Sequence, residues 1–373
     1  MMAASPHAAA SLGVLACLAI GCADPGPPVA PVEHEQAPAE ALGEQEQEQA
    51  PVEPEAADAQ AQPSVLKSPE LELSFVGDIV LGRYRQEHER WVYREMAAPE
   101  ADPFAEVSAM LAADVVVGNL ESPLIGSLPE QSPIKHRNRF GAGSQHVQQL
   151  LRGGFTVLSM ANNHHYDLGV EGQREGPQLL AEAGLMAIGA PREAAPGPRV
   201  ETLEVQGWRV GFLAFSTIQN HGGKTGGPKI PRLSLTAVKD QLVPLLEAAR
   251  DEHDLLVVVV HWGEEYAAEI RTTQRIAAHK LLAAGADLLV GHHPHVLQAI
   301  ERHASGPEEH TRDGLIAYSL GNFLFPRNDG GAELSAILSA RYLDMGEGRR
   351  PCLDSARVDP IYMSRQPSWR PIA

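Results

Sequence analysis

Side chains that can bind metal or form hydrogen bonds follow the apolar runs of this sequence at the points where those runs stop. The segment LELSFVGD ends in Asp78, and ADVVVGNLESP places Asn119 and Glu121 after a valine run. FTVLSM continues into ANNHHYDLG, which supplies Asn163 and His164. Since the carboxyl ends of strands in α/β folds meet loops at one edge, these side chains predict a shared cleft.

Histidines carry the second half of this pattern. His261 ends the apolar run DLLVVVVH, and the strand-like ADLLV leads into GHHPH with His292, His293 and His295. His293 and His295 are two positions apart, so in an extended segment their side chains point to one side. The last run, LIAYSLGNF, ends in Asn322. Imidazole, carboxylate and amide donors without sulfur favour manganese, iron or zinc over copper(I).

Each of these residues also has an ordinary explanation. Asp78 alone suits a turn or a helix N-cap, and Glu121 after a buried strand can simply meet solvent. The Asn163–His164 pair fits a capped turn, and His261 fits a hydrogen-bonded core residue. Pro294 would make the histidine cluster an ordinary turn. Their joint occurrence at successive strand ends is what favours a metal site.

The elements that must position these side chains begin after Ser68, where short apolar runs alternate with helical patterns. This alternation of strand-like and helical patterns predicts a layered α/β domain over residues 69–345, followed by a C-terminal extension over residues 346–373. DLLVVVV predicts a strand buried on both faces. Helices are predicted from near Ser144 to Gly153 and across TTQRIAAHKLLAAG.

The N-terminus predicts an export signal rather than part of the fold. The apolar run from Ala8 to Gly21 is too short to span a bilayer and has the length of a signal-peptide core. It ends in LAIGC, which resembles a bacterial lipobox, so residues 1–22 are interpreted as a signal peptide with Cys22 as the lipid-accepting residue. The alternative is a buried N-terminal helix. We expect an exported, membrane-anchored lipoprotein of the bacterial cell envelope.

Residues 23–68 are dominated by Pro, Glu, Gln and Ala and contain no aromatic side chain. Such a segment cannot bury enough apolar surface to offset its ordering entropy, so it predicts a disordered tether. The formal charge of −18 argues against nucleic acid as a partner, because nucleic-acid binding requires phosphate neutralisation. Cys17 and Cys22 precede the domain, and the single Cys352 inside it excludes a thiolate metal cluster and an internal disulfide framework.

The ordered motifs GDIVLGR, VVVGNLESPL, ANNHHYDLG, HWGEEY, GADLLVGHHPHVLQ and YSLGNFLF resemble the CapA family of poly-γ-glutamate capsule synthesis proteins, over roughly Leu71 to Phe325. That family is similar to calcineurin-like metallophosphoesterases. The resemblance implies an α/β sandwich of two central β-sheets flanked by helices.

The resemblance also implies a site with two divalent ions. Glu121 falls at the metal-bridging position and His164 at the catalytic position, acting on the leaving group. Val80 occupies a position where the wider superfamily has a histidine ligand, Glu121 replaces its usual aspartate, and a displaced glycine leaves His292 as an extra candidate. The implied metal ligands are Asp78, Glu121, Asn163, His261, His293 and His295, and the additional candidates are His292, Asn119, Asp167, Glu265 and Asn322.

Three functions remain open at this point. The first is a cell-envelope factor for synthesis or export of an anionic polymer, acting with other capsule-synthesis membrane proteins. The second is an exported, metal-dependent phosphoesterase unrelated to capsule. The third is a polymer-binding module without turnover.

Overall fold

The computed structural model describes residues 17–19, 66–85, 89–92, 101–135, 138–193, 197–221, 226–305, 312–325, 331–346, 348–364 and 370–373. Most of the predicted signal peptide, the predicted lipid-accepting Cys22 and the predicted tether up to residue 65 lie outside these ranges. Within them, no helix is long and apolar enough to cross a membrane.

The strands, numbered in chain order, are β1 (Cys17–Ala19), β2 (Glu70–Ile79), β3 (Arg83–Arg85), β4 (Arg90–Val92), β5 (Val115–Leu120), β6 (Leu124–Ile125), β7 (Ala142–Gly143), β8 (Val157–Ser159), β9 (Met186–Ile188), β10 (Val200–Val205), β11 (Trp208–Ser216), β12 (Leu255–His261), β13 (Leu288–His292), β14 (Ile300–Ser305), β15 (Arg312–Ala317), β16 (Asn322–Leu324), β17 (Leu334–Leu343), β18 (Cys352–Ser364) and β19 (Arg370–Ile372). The α-helices are α1 (Val147–Arg152), α2 (Gly169–Glu182), α3 (Val238–Gln241), α4 (Val243–Ala249) and α5 (Thr272–Ala283).

Two mixed sheets form the centre of the fold. The first has the order β1-β18-β17-β2-β5-β8-β9, with β16 also pairing β2 and β19 pairing β18. The second has the order β10-β11-β12-β13-β15-β14. Strands β2, β5, β8 and β9 run parallel in the first sheet, and β11, β12, β13 and β15 run parallel in the second. Two short pairs, β3-β4 and β6-β7, complete the described strands.

The two sheets pack face to face, and helices cover their outer faces. One apolar cluster combines Phe75 and Val117 of the first sheet with Phe212 and Val257 of the second. A second cluster joins the outer face of the first sheet to α1 and α2, and a third joins the outer face of the second sheet to α3, α4 and α5. The α/β sandwich of two sheets flanked by helices is therefore confirmed.

Strand β12 illustrates how the sequence specifies this packing. Leu255, Val257 and Val259 belong to the cluster between the sheets, while Val258 and Val260 belong to the cluster beneath the helices. Side chains alternate between the two faces of a strand, and both faces are covered here. The prediction of a strand buried on both faces is confirmed, and such a strand holds its terminal histidine firmly.

The C-terminal segment, predicted as an extension over residues 346–373, contributes β18 and β19 to the first sheet. β18 pairs along its length with β17, and Leu353 and Ala356 join the cluster between the sheets. The sheet thus continues past the predicted boundary at residue 345. Exposed or half-buried polar residues alternate with the buried ones in this strand, which hid its apolar face from a search for continuous runs.

The N-terminal edge differs from expectation in two details. β1 pairs with β18, so three residues of the predicted signal segment lie at a sheet edge. Lys67 forms ion pairs with Asp254 at 2.7 Å and Asp344 at 2.9 Å, so the tether already contacts the domain before residue 68. Cys352 is disulfide-bonded, which the sequence analysis did not predict, since it excluded only a disulfide framework within the domain.

Candidate metal centre

The two sheets bring the carboxyl ends of their parallel strands together. Asp78 near the end of β2 lies in register with Asn119 of β5, and His261 at the end of β12 lies in register with His292 of β13. The backbone N–H of His293 donates to Asp78 Oδ2 at 3.3 Å and so links one sheet to the other. This placement is the shared cleft that the strand ends predict.

The first donor group consists of Glu121, Asn163, His261 and His293. His261 Nε2 lies 3.3 Å from Glu121 Oε1, 2.8 Å from Asn163 Oδ1 and 3.1 Å from His293 Nδ1. One ligand atom each from Glu121, His261 and His293 can be chosen so that all lie within 4.8 Å of one another. Carboxylate, amide and imidazole donors converging in this way can surround one cation.

The second donor group consists of Asp78, Glu121 and His295, whose ligand atoms also lie within 4.8 Å of one another. His295 Nδ1 lies 3.1 Å from Asp78 Oδ2 and 3.0 Å from Asn322 Oδ1. His292 Nδ1 lies 3.3 Å from Asp78 Oδ1 without hydrogen-bond geometry. Glu121 belongs to both groups, so its carboxylate can bridge two cations.

Glu121 provides the test of whether a cation fits here. Its side chain is fully buried, and neither carboxylate oxygen has a hydrogen-bond partner among the described residues. Burial raises the pKa of Glu121 well above its usual value, and the charge of Asp78 raises it further. A buried carboxylate without hydrogen bonds is strongly destabilising unless a positive charge compensates it. Divalent cations between the donor groups supply that charge, so the residues present fit a metal centre.

Asp78, His261 and His293 are held in their metal-binding forms. Burial lowers the pKa of His293 to about 3 and, with the nearby His293 imidazole, lowers that of His261 well below its usual value. Burial alone would raise the pKa of Asp78, but the imidazoles of His292 and His295 outweigh it and keep the pKa well below the usual range. Neutral imidazole and ionised carboxylate are the forms that coordinate metal.

The loop after β13 holds its histidines in an unfavourable backbone conformation. His293 has φ 97° and His295 has φ 60°, both in the left-handed region that non-glycine residues rarely occupy. Each such residue costs on the order of 1–3 kcal/mol and persists only where its surroundings fix it. Both imidazoles nevertheless point into the centre, which indicates that the loop conformation serves the site.

Close approaches of backbone to backbone set the positions of the strand ends. A Cβ atom on Gly77 would lie 2.0 Å from the carbonyl oxygen of Gly321, and one on Gly291 would lie 2.1 Å from that of Tyr318. Only glycine fits at these two positions. The Gly77 contact lets the N–H of Asp78 donate to the Gly321 carbonyl at 2.9 Å, which fixes the backbone that carries this carboxylate of the second donor group.

His164 lies beside the donor groups in a hydrogen-bonded chain. Its Nδ1 lies 2.6 Å from Asp167 Oδ2, and Asp167 Oδ1 lies 3.0 Å from His221 Nε2. The backbone N–H of Phe140 also donates to Asp167 at 2.7 Å. Burial would raise the pKa of Asp167, but these partners hold it below its usual value. An ionised Asp167 keeps the proton on His164 Nδ1 and directs Nε2 toward Asn220, 3.4 Å away.

Three polar residues at the centre were missed by the sequence-based search. Asn162 donates to the Leu120 carbonyl at 2.9 Å and accepts from the His164 N–H at 3.1 Å, which orients the loop. Asn220 accepts from Asn163 Nδ2 at 3.1 Å, and His221 contacts Asp167. Asn220 and His221 follow β11 after a short turn, so they also show the signal of polar residues after an apolar strand.

The remaining candidates also lie at this cleft. Asn119 donates to Asp78 Oδ1 at 2.8 Å, and the exposed Glu265 forms a third donor group with His293 and His295. Val80 packs in an apolar cluster, so it supplies no donor at that position. The structure thus brings all the candidate residues from Asp78 to Asn322 together, while their roles as ligands or catalysts stay predictions.

Fold and site together define an α/β sandwich protein with a buried histidine–carboxylate centre suited to divalent cations. Residues 72–327 match the family described as bacterial capsule synthesis protein PGA_cap, and the chain belongs to this family.

Two curated relatives are similar over most of the chain. The PGA biosynthesis protein CapA of Bacillus subtilis is 31% identical over 75% of this chain and 70% of its own length. The capsule biosynthesis protein CapA of Bacillus anthracis is 30% identical over 75% of this chain and 66% of its own length. Among solved structures, the calcineurin-like phosphoesterase YfkN of B. subtilis aligns over 78% of this chain and 91% of its own, at 13% identity and a TM-score of 0.41.

Proposed function

We propose that this protein is a cell-envelope factor in the synthesis or export of an anionic capsule polymer, with a metal-dependent hydrolase-type centre. The observation that carries the proposal is that the family match, residues 72–327, contains both donor groups with Glu121 buried between them. The two Bacillus relatives, named for capsule or PGA biosynthesis, support poly-γ-glutamate as the polymer.

The chemistry follows from the donor set. Divalent cations such as manganese, iron or zinc, once bound, polarise an acyl or phosphoryl oxygen and lower the pKa of a water molecule. Glu121 would contribute a ligand to both ions, and Asp78 with the histidines would supply their other protein ligands. His164 would present Nε2 to the leaving oxygen, and its hydrogen bond to Asp167 fixes the ring orientation.

Charge explains why polymer binding should depend on metal. The carboxylates of Asp78, Glu121 and Asp167 are all fully buried at the cleft. Without cations the ionised Asp78 and Asp167 repel a polyanion, whereas two divalent ions reverse the local charge. Polymer and metal should therefore bind together.

Attachment to the membrane is part of the proposal. The LAIGC segment supports lipid modification of Cys22 after export, with capsule-synthesis membrane proteins as partners. Replacing Cys22 by Ser should abolish lipid labelling and release the protein from membranes, while Cys17→Ser serves as a matched control that retains both. Unchanged labelling of the Cys22 variant would contradict the lipid anchor.

A purified protein loaded separately with manganese, iron or zinc tests the catalytic proposal. We expect metal-dependent retention of poly-γ-glutamate in co-sedimentation and a metal-dependent change in its chain length. Asp167→Asn and His164→Asn should retain the polymer but lose the change in length. Absence of metal-dependent polymer binding would refute the capsule function.

A second candidate function, a metal-dependent phosphoesterase, is favoured by the His164–Asp167 pair beside the bridging carboxylate. Turnover of bis-p-nitrophenyl phosphate, a model phosphodiester, distinguishes the phosphoesterase function from the capsule function. Turnover of this diester without polymer binding would support the phosphoesterase. Polymer binding without turnover of either compound would support a binding module.

A further inference from the structure

A second cluster of metal-binding side chains lies outside the centre, on the surface between α5 and β14. It consists of His279 on α5 and of Glu301 and His303 on β14, and one ligand atom from each lies within 4.8 Å of the others. We propose that this cluster binds one zinc-like divalent cation, which clamps helix α5 to strand β14.

The register of β14 brings the three side chains to one face. Glu301 and His303 are two positions apart on the strand, so they point to the same side, and α5 packs against that strand. His279 Nε2 lies 2.6 Å from Glu301 Oε1, and His303 Nδ1 lies 3.8 Å from the same oxygen. Arg302, between the two strand residues, instead pairs with Asp313.

The Glu301 carboxylate is oriented by neighbours on its other oxygen. The Tyr318 hydroxyl donates to Oε2 at 2.9 Å, and Arg275 donates to Oε2 at 3.1 Å. These two bonds leave Oε1 facing both imidazoles. Hydrogen bonds of this kind from outside the ligand set fix the geometry of metal-binding carboxylates in known sites.

The donor types and exposure suit zinc with an open position. Two imidazoles and one carboxylate, completed by water, form a common tetrahedral zinc set. The side chains of His279, Glu301 and His303 are 32%, 22% and 28% exposed, so an ion can enter from solvent. The imidazole rings stack 3.8 Å apart at 10°, and they must turn out of this stack to share an ion. Their partial exposure permits that rotation.

The position of the cluster gives the ion a structural role. β14 is the edge strand of the second sheet, and the turn carrying His293 and His295 lies between β13 and β14. An ion bound by both α5 and β14 would stabilise the packing of this edge strand, which directly follows the turn. It should therefore raise the melting temperature even where the main centre is unchanged.

Zinc titration of the intact protein, followed by calorimetry, tests the proposal. The double variant His279→Gln/His303→Gln should bind one zinc ion fewer per chain than the wild type, or bind that ion at least tenfold more weakly. Arg302→Gln is the matched control, since it changes the same strand but faces away from the cluster, and it should retain the full stoichiometry.

Cobalt(II) and melting measurements provide the second readout. The d–d absorption of tetrahedral cobalt should contain a component that the double variant lacks, and the variant should lose part of the zinc-dependent rise in melting temperature. Should the double variant fail to fold by circular dichroism, His303→Gln alone should show the weaker binding. Equal stoichiometry and affinity in the wild type and a folded variant would overturn the proposal.

Discussion

Replacing Glu121 by Gln should weaken metal binding without destabilising the metal-free fold. The change replaces an ionisable carboxyl group with a neutral amide of the same shape, on a side chain that is buried without hydrogen bonds. Burial raises the pKa of Glu121 well above its usual value, so a neutral amide costs the metal-free protein little. We expect the metal-free variant to melt at the same temperature as the metal-free wild type or higher.

In the metal-bound state, by contrast, Glu121→Gln should be destabilising, because it weakens the binding of the ion. The donor atoms of each group lie within 4.8 Å of one another, so an ion among them lies close to Glu121. Two unit charges about 4 Å apart interact by about 4 kcal/mol at an effective dielectric constant of 20, which corresponds to about 10³-fold in affinity. A divalent ion interacts more strongly than a unit charge, but the wild type must first release the proton that the raised pKa of Glu121 retains, so we expect a net loss of about this size.

The magnitude in a melting experiment follows from mass action. Free metal at 100 times the dissociation constant stabilises the wild type by about 2.7 kcal/mol. For a domain of about 300 residues this raises the melting temperature by roughly 4 °C. At the same concentration the variant, with about 10³-fold weaker binding, should show no measurable rise.

Differential scanning fluorimetry after treatment with a chelator measures the melting temperature of the metal-free protein. Adding manganese, iron or zinc then measures the metal-dependent rise. Glu201→Gln is a matched control: Glu201 accepts hydrogen bonds from Gly189 N–H at 2.7 Å and Arg199 at 2.6 Å, apart from the centre. It should lower the melting temperature of the metal-free protein and keep the metal-dependent rise. A full metal-dependent rise in Glu121→Gln would refute the bridging role of this carboxylate.

Three further predictions concern residues around the centre. His164→Asn should leave the metal content measured by elemental analysis intact and lower turnover about 10²–10⁴-fold, because it removes a positioned acid–base group; loss of metal would instead make His164 a ligand. His293→Ala and His293→Gly both remove the imidazole, but glycine adopts φ 97° without strain, so in urea unfolding the glycine variant should be more stable by about 1 kcal/mol or more, and equal stabilities would contradict the strain. Gly77→Ala should cost about 1–3 kcal/mol of unfolding free energy, because its Cβ would meet the Gly321 carbonyl at 2.0 Å, and an unchanged denaturation midpoint would show that the backbone relaxes freely.

The sequence alone predicted the elements and the chemistry types of the centre, because both are local properties. The continuous apolar runs of β5 and β12 predict burial on both faces. Polar residues directly after such a run must satisfy their hydrogen bonds at the strand end. Asp78, Glu121 and His261 could therefore be selected from runs of a few residues.

Only the tertiary structure decided how these residues meet. Sheet order brings β2 and β12 into different sheets whose strand ends face each other, and no local pattern specifies that pairing. Local patterns also failed to predict that β18 belongs to the first sheet, because its buried residues alternate with polar ones. They likewise did not predict the cluster of His279 with Glu301 and His303. His279 and Glu301 lie 22 positions apart on a helix and a strand, and their contact depends on the packing of α5 against the second sheet. Spacing along the chain predicts neighbours within one element, whereas contacts between elements arise when the whole chain buries its apolar faces at once.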